Sequence, residues 1–210
     1  MIRIGIVDDH AIVRQGLRQL LEGEVDLRVT AEAADGREAL EIARRGEADV
    51  LLMDLSMPEQ GGVDALAAIR ARFPALPVLI LSGFPEVHYA TTLLRQGAAG
   101  YLNKGGDPAE IPNAIRTVAR GRRYITPAVA ELLADGLAGD AAQPPHVTLS
   151  ERELQVFLRL AGGETVGQIA DAMHLSVKTV STYRSRVLDK LKLASNSELT
   201  YYALKNGLIQ

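Results

Sequence analysis

Hydrophobic and polar positions follow two rhythms along the first 120 residues. Short apolar runs rich in Val, Ile and Leu fall at 2–7, 27–31, 50–53, 78–81 and 100–102, each long enough for a strand and too short for a helix. Between them the apolar residues recur at helical spacing, as in Ile12, Leu17, Leu20 and Leu21, or Leu66, Ile69 and Phe73. Five strand-then-helix units predict a parallel sheet covered on both faces, since runs apolar on both sides must be buried on both sides. The last helix of the series has Asp107 as a cap, Pro108 at the first helical position and Glu110 to complete a capping box. Pro112 removes a backbone donor at the fifth helical position and predicts a tightened or kinked first turn.

After Gly121 the rhythm loosens. The stretch LADGLAGDAAQPPH gathers Gly, Ala, Asp and a Pro pair without a sustained apolar stripe, so residues 122–147 read as a linker, entered by a short helix over 127–133. The domain plan is therefore 1–121, a linker over 122–147, and a second domain over 148–210. In the second domain Ser150 with Glu153 and Thr165 with Gln168 form capping-box pairs, and Ser176 offers a third N-cap. A last helix over 197–205 ends at Asn206-Gly207. Ile169, Ala170 and Met173 share a face, Leu175 falls in a turn, and Val177, Val180, Val187, Leu188 and Leu191 form the buried stripe of the next helix. A residue as small as Ala170 lets two helices cross closely, as a helix-turn-helix requires. The fold class is a doubly wound α/β domain followed by an all-α four-helix domain.

Composition adds boundaries. The 210 residues contain no Cys and no Trp, with 47% hydrophobic and 23% charged residues. A disulfide framework, a thiolate metal site and a cysteine nucleophile are excluded. No apolar run approaches the roughly 18 residues of a membrane span, and acids occupy the start where a secretory signal needs apolar residues. A soluble, cytoplasmic protein without a membrane partner is expected. The net charge of −3 argues for no nucleic acid until it is divided. Residues 1–145 hold 15 basic and 20 acidic side chains, net −5, whereas 146–210 hold 8 and 6, net +2. Between 175 and 192, Lys178, Arg184, Arg186, Lys190 and Lys192 face only Asp189, and an acidic front with a locally basic back suggests two functions.

The chemistry of the first part gathers at the carboxyl ends of its expected strands. Asp8 and Asp9 close the first, Asp54 the third and Ser82 the fourth, while Lys104 lies just beyond the fifth. In an open parallel sheet the ligand crevice lies outside those ends. Three carboxylates held together repel unless a cation joins them, and all-oxygen ligands suit Mg²⁺. A neighbouring Lys and hydroxyl are what a transferring phosphoryl group needs for its negative oxygens. Asp54 is then the candidate nucleophile, forming an acyl phosphate.

These segments, IVDDH, LLMDLSMPEQGG, LILSG and GYLNKGG, resemble the receiver domain of two-component response regulators in the right order over about 120 residues. The resemblance implies a sheet in the order 2-1-3-4-5, and Asp54 as phosphoacceptor from a sensor histidine kinase. It also implies Mg²⁺ held by Asp9, Asp54 and the backbone carbonyl of Ser56, with Asp8 acting through water. Ser82 and Lys104 would contact the phosphoryl group, and Tyr101 matches the switch aromatic. Phe84 and Ser56 stand at positions that govern water access to the phosphoryl, and a bulky Phe84 implies slow hydrolysis.

In the second part LSERELQV and GQIADAMHLSVKTVSTYRSRVLDKL resemble the DNA-binding domain of NarL/FixJ, or LuxR-type, regulators. By that resemblance Ser181, Thr182 and Ser185 face bases, and Lys178, Thr179, Arg184, Arg186 and Lys190 contact phosphates of double-stranded DNA. Ser181 and Tyr183 replace a Lys and a His common in relatives, so binding leans on hydroxyls more than on charge. Leu199, Tyr202 and Leu204 match the family's dimerisation helix. The whole implies a non-enzymatic transcription regulator whose Mg²⁺-dependent self-phosphorylation at Asp54 favours a homodimer on half-sites about 10 bp apart. A haloacid-dehalogenase-type phosphatase carries a second acid two residues after a nucleophile on its first strand, whereas Asp54 follows the third strand and precedes Leu-Ser. A protein-binding adaptor is the other alternative, distinguished by an absence of DNA binding.

Overall fold

Burial on both faces makes strands of the five apolar runs. Strands β1 (Ile2–Val7), β2 (Leu27–Ala33), β3 (Val50–Met53), β4 (Val78–Ser82) and β5 (Gly100–Asn103) pair in parallel in the order β2-β1-β3-β4-β5. The order is the one the receiver resemblance implies. The structure, a computed structural model, describes residues 1–55, 57, 62–83, 86–138, 144–173, 175–206, 208 and 209. Every residue of β3 and β4 is buried, as central parallel strands require. Helices α1 (Ala11–Glu22), α2 (Gly36–Arg45), α3 (Gly62–Arg72), α4 (Glu86–Arg95) and α5 (Glu110–Ala119) alternate with the strands. Leu17 and Leu21 of α1 and Ile111, Ala114, Ile115 and Val118 of α5 pack over one sheet face with Ile4, Ile6, Leu52 and Leu81. Ile12, placed by its spacing among the apolar positions of α1, is instead 80% exposed, because it lies in the first turn, beyond the carboxyl edge of the sheet.

Two local expectations are corrected. Glu110 forms no capping box; Asp107 Oδ1 accepts the Ala109 N–H at 2.9 Å, and Glu110 N and Ile111 N bond to the carbonyls of Asp107 and Pro108. This tight turn delivers the chain to α5 at Glu110, so Pro112 falls in the helix's first turn, where its missing N–H is not needed. Within the stretch read as a linker, residues 122–138 are also more ordered than their composition suggests. Tyr124 bridges to Gly100 at the sheet edge, and α6 (Pro127–Ala138) runs past the expected 133 and packs on α4. Pro127 at the first helical position and Thr126, whose hydroxyl accepts the Val129 N–H at 3.4 Å, start it.

The chain divides into two compact units, Met1–Ala141 and Ala142–Gln210. The second holds a short 3-10 helix (Pro145–Thr148) and α7 (Glu151–Ala161), α8 (Val166–Ala172), α9 (Val177–Leu191) and α10 (Asn196–Lys205). Both capping boxes form, at Ser150/Glu153 and Thr165/Gln168, and Ser176 caps α9 by accepting the Thr179 N–H at 3.0 Å. Leu154, Phe157, Ile169, Ala170, Val180, Val187, Leu191, Leu199 and Ala203 form the small core. Val177 leaves the expected stripe and is 56% exposed, at the free start of α9. The expected stop after α10 rests partly on Gly207, which lies outside the described residues; Asn206 is its C-cap.

One ion-pair cluster ties α5 to the α1–β2 turn. Arg116 donates to Asp26 at 2.6 and 2.9 Å and to Glu24 at 2.6 Å. The Arg116 hydrogen bond, opposed by slight desolvation, holds the Asp26 carboxyl down at about 2 from its ordinary 3.8. Because the folded value is depressed, the stabilisation is complete above the unfolded value and is lost as pH falls from about 4 towards 2. An NMR titration of the Asp26 carboxyl carbon should find a midpoint near 2 in the wild type and near 3.8 in Arg116→Met. An unmoved midpoint would refute the pairing.

Candidate functional site

The sheet's parallel register carries three acids to one end. Val7 pairs with Met53, so Asp8 and Asp54 emerge side by side from β1 and β3, and the Asp54 N–H donates to the Val7 carbonyl at 2.8 Å. Ser82 ends β4, the next strand, and Lys104 follows β5, with its backbone N–H bonded to the Ser82 carbonyl at 2.7 Å. Asp8, Asp54 and Ser82 are buried. Gly62, opening α3, lies so close beneath this turn that a Cβ there would fall 2.5 Å from the Asp54 carbonyl oxygen. Only glycine allows that approach.

Lys104 joins the acids. Its Nζ donates to Asp8 Oδ2 at 2.6 Å and lies 3.1 Å from Asp54 Oδ2. Burial alone would lower the pKa of this ammonium, but the Asp54 charge and the Asp8 hydrogen bond and charge outweigh it, and the value rises above the usual lysine range. The other Asp54 oxygen, Oδ1, accepts the Leu55 N–H at 2.8 Å, and Asp8 Oδ1 accepts the His10 N–H at 2.8 Å. Asp9 Oδ1 is shut off from solvent and accepts no hydrogen bond among the described residues; His10 Nδ1 lies 2.9 Å away without bonding geometry. Asp8, Asp9 and His10 bring one ligand atom each within 4.8 Å of one another. Tyr101 is buried on β5, opposite Ile80 of β4. Ser56 and Phe84 lie outside the described residues.

Two neighbours of the pocket were not found by reading the sequence. His10 follows the acid pair directly, and Arg14, one helical turn later, donates to the Asp8 carbonyl at 2.7 Å and to Glu32 at 3.1 Å. Adjacency to the acid pair is the one signal that could have singled out His10, while nothing in sequence spacing reveals the Arg14 bond.

In the second unit, α8 and α9 pack through Ile169, Ala170 and Val180. The opposite side of α9 exposes Lys178, Ser181, Thr182, Ser185 and Arg186, with Thr179 half-buried beside them. Lys178, Thr179, Thr182, Tyr183 and Arg186 line one shallow depression. Two of the expected phosphate-contacting residues are engaged within the fold. Arg184 donates to Asn196 Oδ1 of α10 at 2.7 Å, and Lys190 bonds Glu153 Oε2 of α7 at 2.6 Å. Glu153 is buried, which alone would raise its pKa, yet Lys190 and the Ser150 N–H hold it below the usual range. Among the described residues no helix is long and apolar enough to cross a membrane.

Comparison with known proteins matches this division. The model of the response regulator receiver domain matches residues 4–116, and that of the luxR family of bacterial regulatory proteins matches residues 147–203. The chain is 38% identical over 209 residues to Response regulator UvrY of Escherichia coli K12, covering 99% of this chain and 96% of that protein. It is 40% identical over 210 residues to Response regulator GacA of Pseudomonas viridiflava, covering 100% and 98%. Among solved structures, RcsB of Salmonella enterica serovar Typhimurium, bound to promoter rprA in the presence of phosphomimetic BeF3-, superposes with a TM-score of 0.63 at 28% identity over 96% of this chain and 98% of that one. The response regulator ChrA of a heme-sensing two-component system gives 0.52 at 31% identity over 99% and 98%. With both family models matched in order and relatives aligned end to end, the chain belongs to the two-component response regulators of the NarL/FixJ family, a receiver domain joined to a luxR-type regulatory domain.

Proposed function

We propose that a sensor histidine kinase passes a phosphoryl group to Asp54 and that the phosphorylated chain, as a homodimer, binds double-stranded DNA through α9 to regulate transcription in the cytoplasm. The observation that carries this reading is the Lys104 ammonium placed between the buried carboxylates of Asp8 and Asp54. An Asp54 carboxylate oxygen forms the new O–P bond while the N–P bond of the kinase's phosphohistidine breaks, its electron pair returning to the imidazole. Lys104, kept cationic by its two acids, faces the negative charge that arrives at Asp54. The Leu55 N–H holds Oδ1 and fixes the carboxylate's orientation. Ser82, at the end of the adjacent strand, would hydrogen-bond a phosphoryl oxygen, and Tyr101, on the neighbouring strand β5, would respond to its movement as the switch aromatic.

The donor set also fits a divalent cation. Buried acids outnumber the one lysine, and Asp9 keeps an inaccessible oxygen without a hydrogen bond. Asp8, Asp9 and Asp54, with the Ser56 carbonyl, would hold Mg²⁺, which supplies countercharge to carboxylates and phosphoryl oxygens. In this reading residues 1–121 are the phosphoacceptor domain, 122–147 connect, and 148–210 bind DNA. Ser181, Thr182 and Ser185 read base edges, and Lys178, Thr179 and Arg186 hold phosphates. Arg184 and Lys190 reach phosphates only by giving up Asn196 and Glu153, so they contribute less than their charge suggests.

The test is an electrophoretic mobility shift on promoter fragments, with and without acetyl phosphate and Mg²⁺, at two salt concentrations. Phosphorylation should tighten binding by about tenfold or more through linkage of two modules. Affinity should fall with salt at a logarithmic slope of roughly −3 to −4, from two phosphate-holding cations per protomer. Equal binding in both states overturns the phosphorylation step, and no binding in either state favours a protein-binding adaptor.

A further inference from the structure

The first unit carries a second concave site at the opposite end of the sheet from the acidic pocket. A cleft of about 320 Å³ opens at the amino-terminal ends of β3, β4 and β5, lined by Asp49, Pro77 and Ala99, by the half-buried Arg70 and by the exposed Arg122 and Arg123. Among the described residues none of these three arginines pairs with a carboxylate. The one acid in the lining, Asp49, is already taken: Arg3 meets it at 2.7 Å through its guanidinium and at 2.8 Å through its backbone N–H. The cleft therefore keeps three positive charges that no carboxylate among the described residues pairs with.

Arg70 is fixed in place. Its Nη1 donates to the Pro74 carbonyl at 2.6 Å, and its side chain lies flat against Gly97, where a Cβ would fall 2.8 Å from Nε. Gly97 has φ of +102°, a conformation suited to glycine. Arginine is the side chain whose planar fork matches a phosphate or carboxylate with paired hydrogen bonds. The size of the cleft is at the lower end of ligand pockets, about 300–1,000 Å³, which suits a small ligand.

We propose that this cleft binds a small phosphate-bearing anion, up to the size of a mononucleotide, between Arg70 at the end of α3 and Arg122 and Arg123 just after α5. The location gives the site a consequence. Arg122 and Arg123 immediately precede Tyr124, whose N–H bonds the Ala99 carbonyl at 2.9 Å at the sheet edge, and α6 begins three residues later. An anion spanning α3 and the post-α5 residues pins the entry to α6, an input independent of Asp54.

Titration of the full chain, ¹⁵N-labelled at arginine, with inorganic pyrophosphate in one arm and adenosine monophosphate in another at constant ionic strength tests this. Saturable Nε–Hε shifts at Arg70, Arg122 and Arg123 are expected, with affinity reduced about tenfold or more in Arg70→Gln and in the double variant Arg122→Gln, Arg123→Gln. Tighter binding of the nucleotide identifies a nucleotide site, and tighter binding of pyrophosphate a bare phosphate site; either supports the proposal. It is overturned by shifts that rise without saturating, by shifts confined to Arg184 and Arg186, or by undiminished binding in the glutamine variants while their remaining spectra match the wild type.

Discussion

Replacing Asp54 with Asn is expected to reduce phosphoryl incorporation to background while both units stay folded. A carboxamide has no oxygen nucleophilic enough to form the acyl phosphate, and Asp8 is no substitute, since its Oδ1 is held by the His10 N–H and its Oδ2 by Lys104. The fold tolerates the change because the Asn side chain has nearly the same shape and its oxygen still accepts the Leu55 N–H. Lys104 keeps its 2.6 Å bond to Asp8. The substitution also removes one of three clustered negative charges, so without divalent metal the first unit should melt higher than the wild type, by about 2–4 °C for each kcal/mol of repulsion relieved. Adding Mg²⁺ should raise the wild-type midpoint more than that of Asp54→Asn. The two measurements are phosphoryl incorporation from acetyl phosphate, read by mass spectrometry, and calorimetry with and without Mg²⁺. Retained incorporation in the variant would remove Asp54 from its proposed role. An equal Mg²⁺ response would remove it from the metal's ligands.

Much of this was legible in the sequence, for a physical reason. Central parallel strands are buried on both faces, so their residues are apolar almost without interruption, and β3 and β4 appear as VLLM and VLILS. Where such a run ends in an acid or a hydroxyl, that residue must emerge at the crevice, which is why Asp8, Asp54 and Ser82 could be placed together without coordinates. Caps are equally local: the Ser150, Thr165 and Ser176 side chains bond within three residues, as their spacing foretold. What escaped was non-local. The Lys190–Glu153 and Arg184–Asn196 bonds join separate helices, and no periodicity distinguishes a cation held by another helix from one facing solvent. The full length of α6 escaped because its Ala, Leu and Gly residues carry little stripe of their own, and its pairing with α4 is a tertiary fact. Both kinds of miss concern which surface a helix meets, whereas its existence was already encoded.

Phe157→Ala is expected to unfold the second unit and abolish DNA binding while phosphoryl acceptance at the first unit continues. Phe157 is fully buried in α7, and its ring meets Tyr202 of α10 edge-on at 6.1 Å. Tyr202 in turn bonds His146 of the 3-10 helix at 3.0 Å. One ring therefore supports contacts among three of the unit's elements. Truncating a buried Phe to Ala typically costs about 3–5 kcal/mol. A unit of 69 residues has a total stability of only roughly 3–10 kcal/mol, so the loss consumes much or all of it. The first unit has its own core, built on Ile4, Ile6, Leu52, Leu81 and Ile115, which contains no residue of the second. Calorimetry should thus lose or sharply lower one transition and keep the other, and helical circular dichroism should fall by the share of α7–α10. Phosphoryl incorporation at Asp54 should stay within about twofold of wild type, while the mobility shift disappears. A variant that loses both activities together would show that the two units do not fold on separate cores.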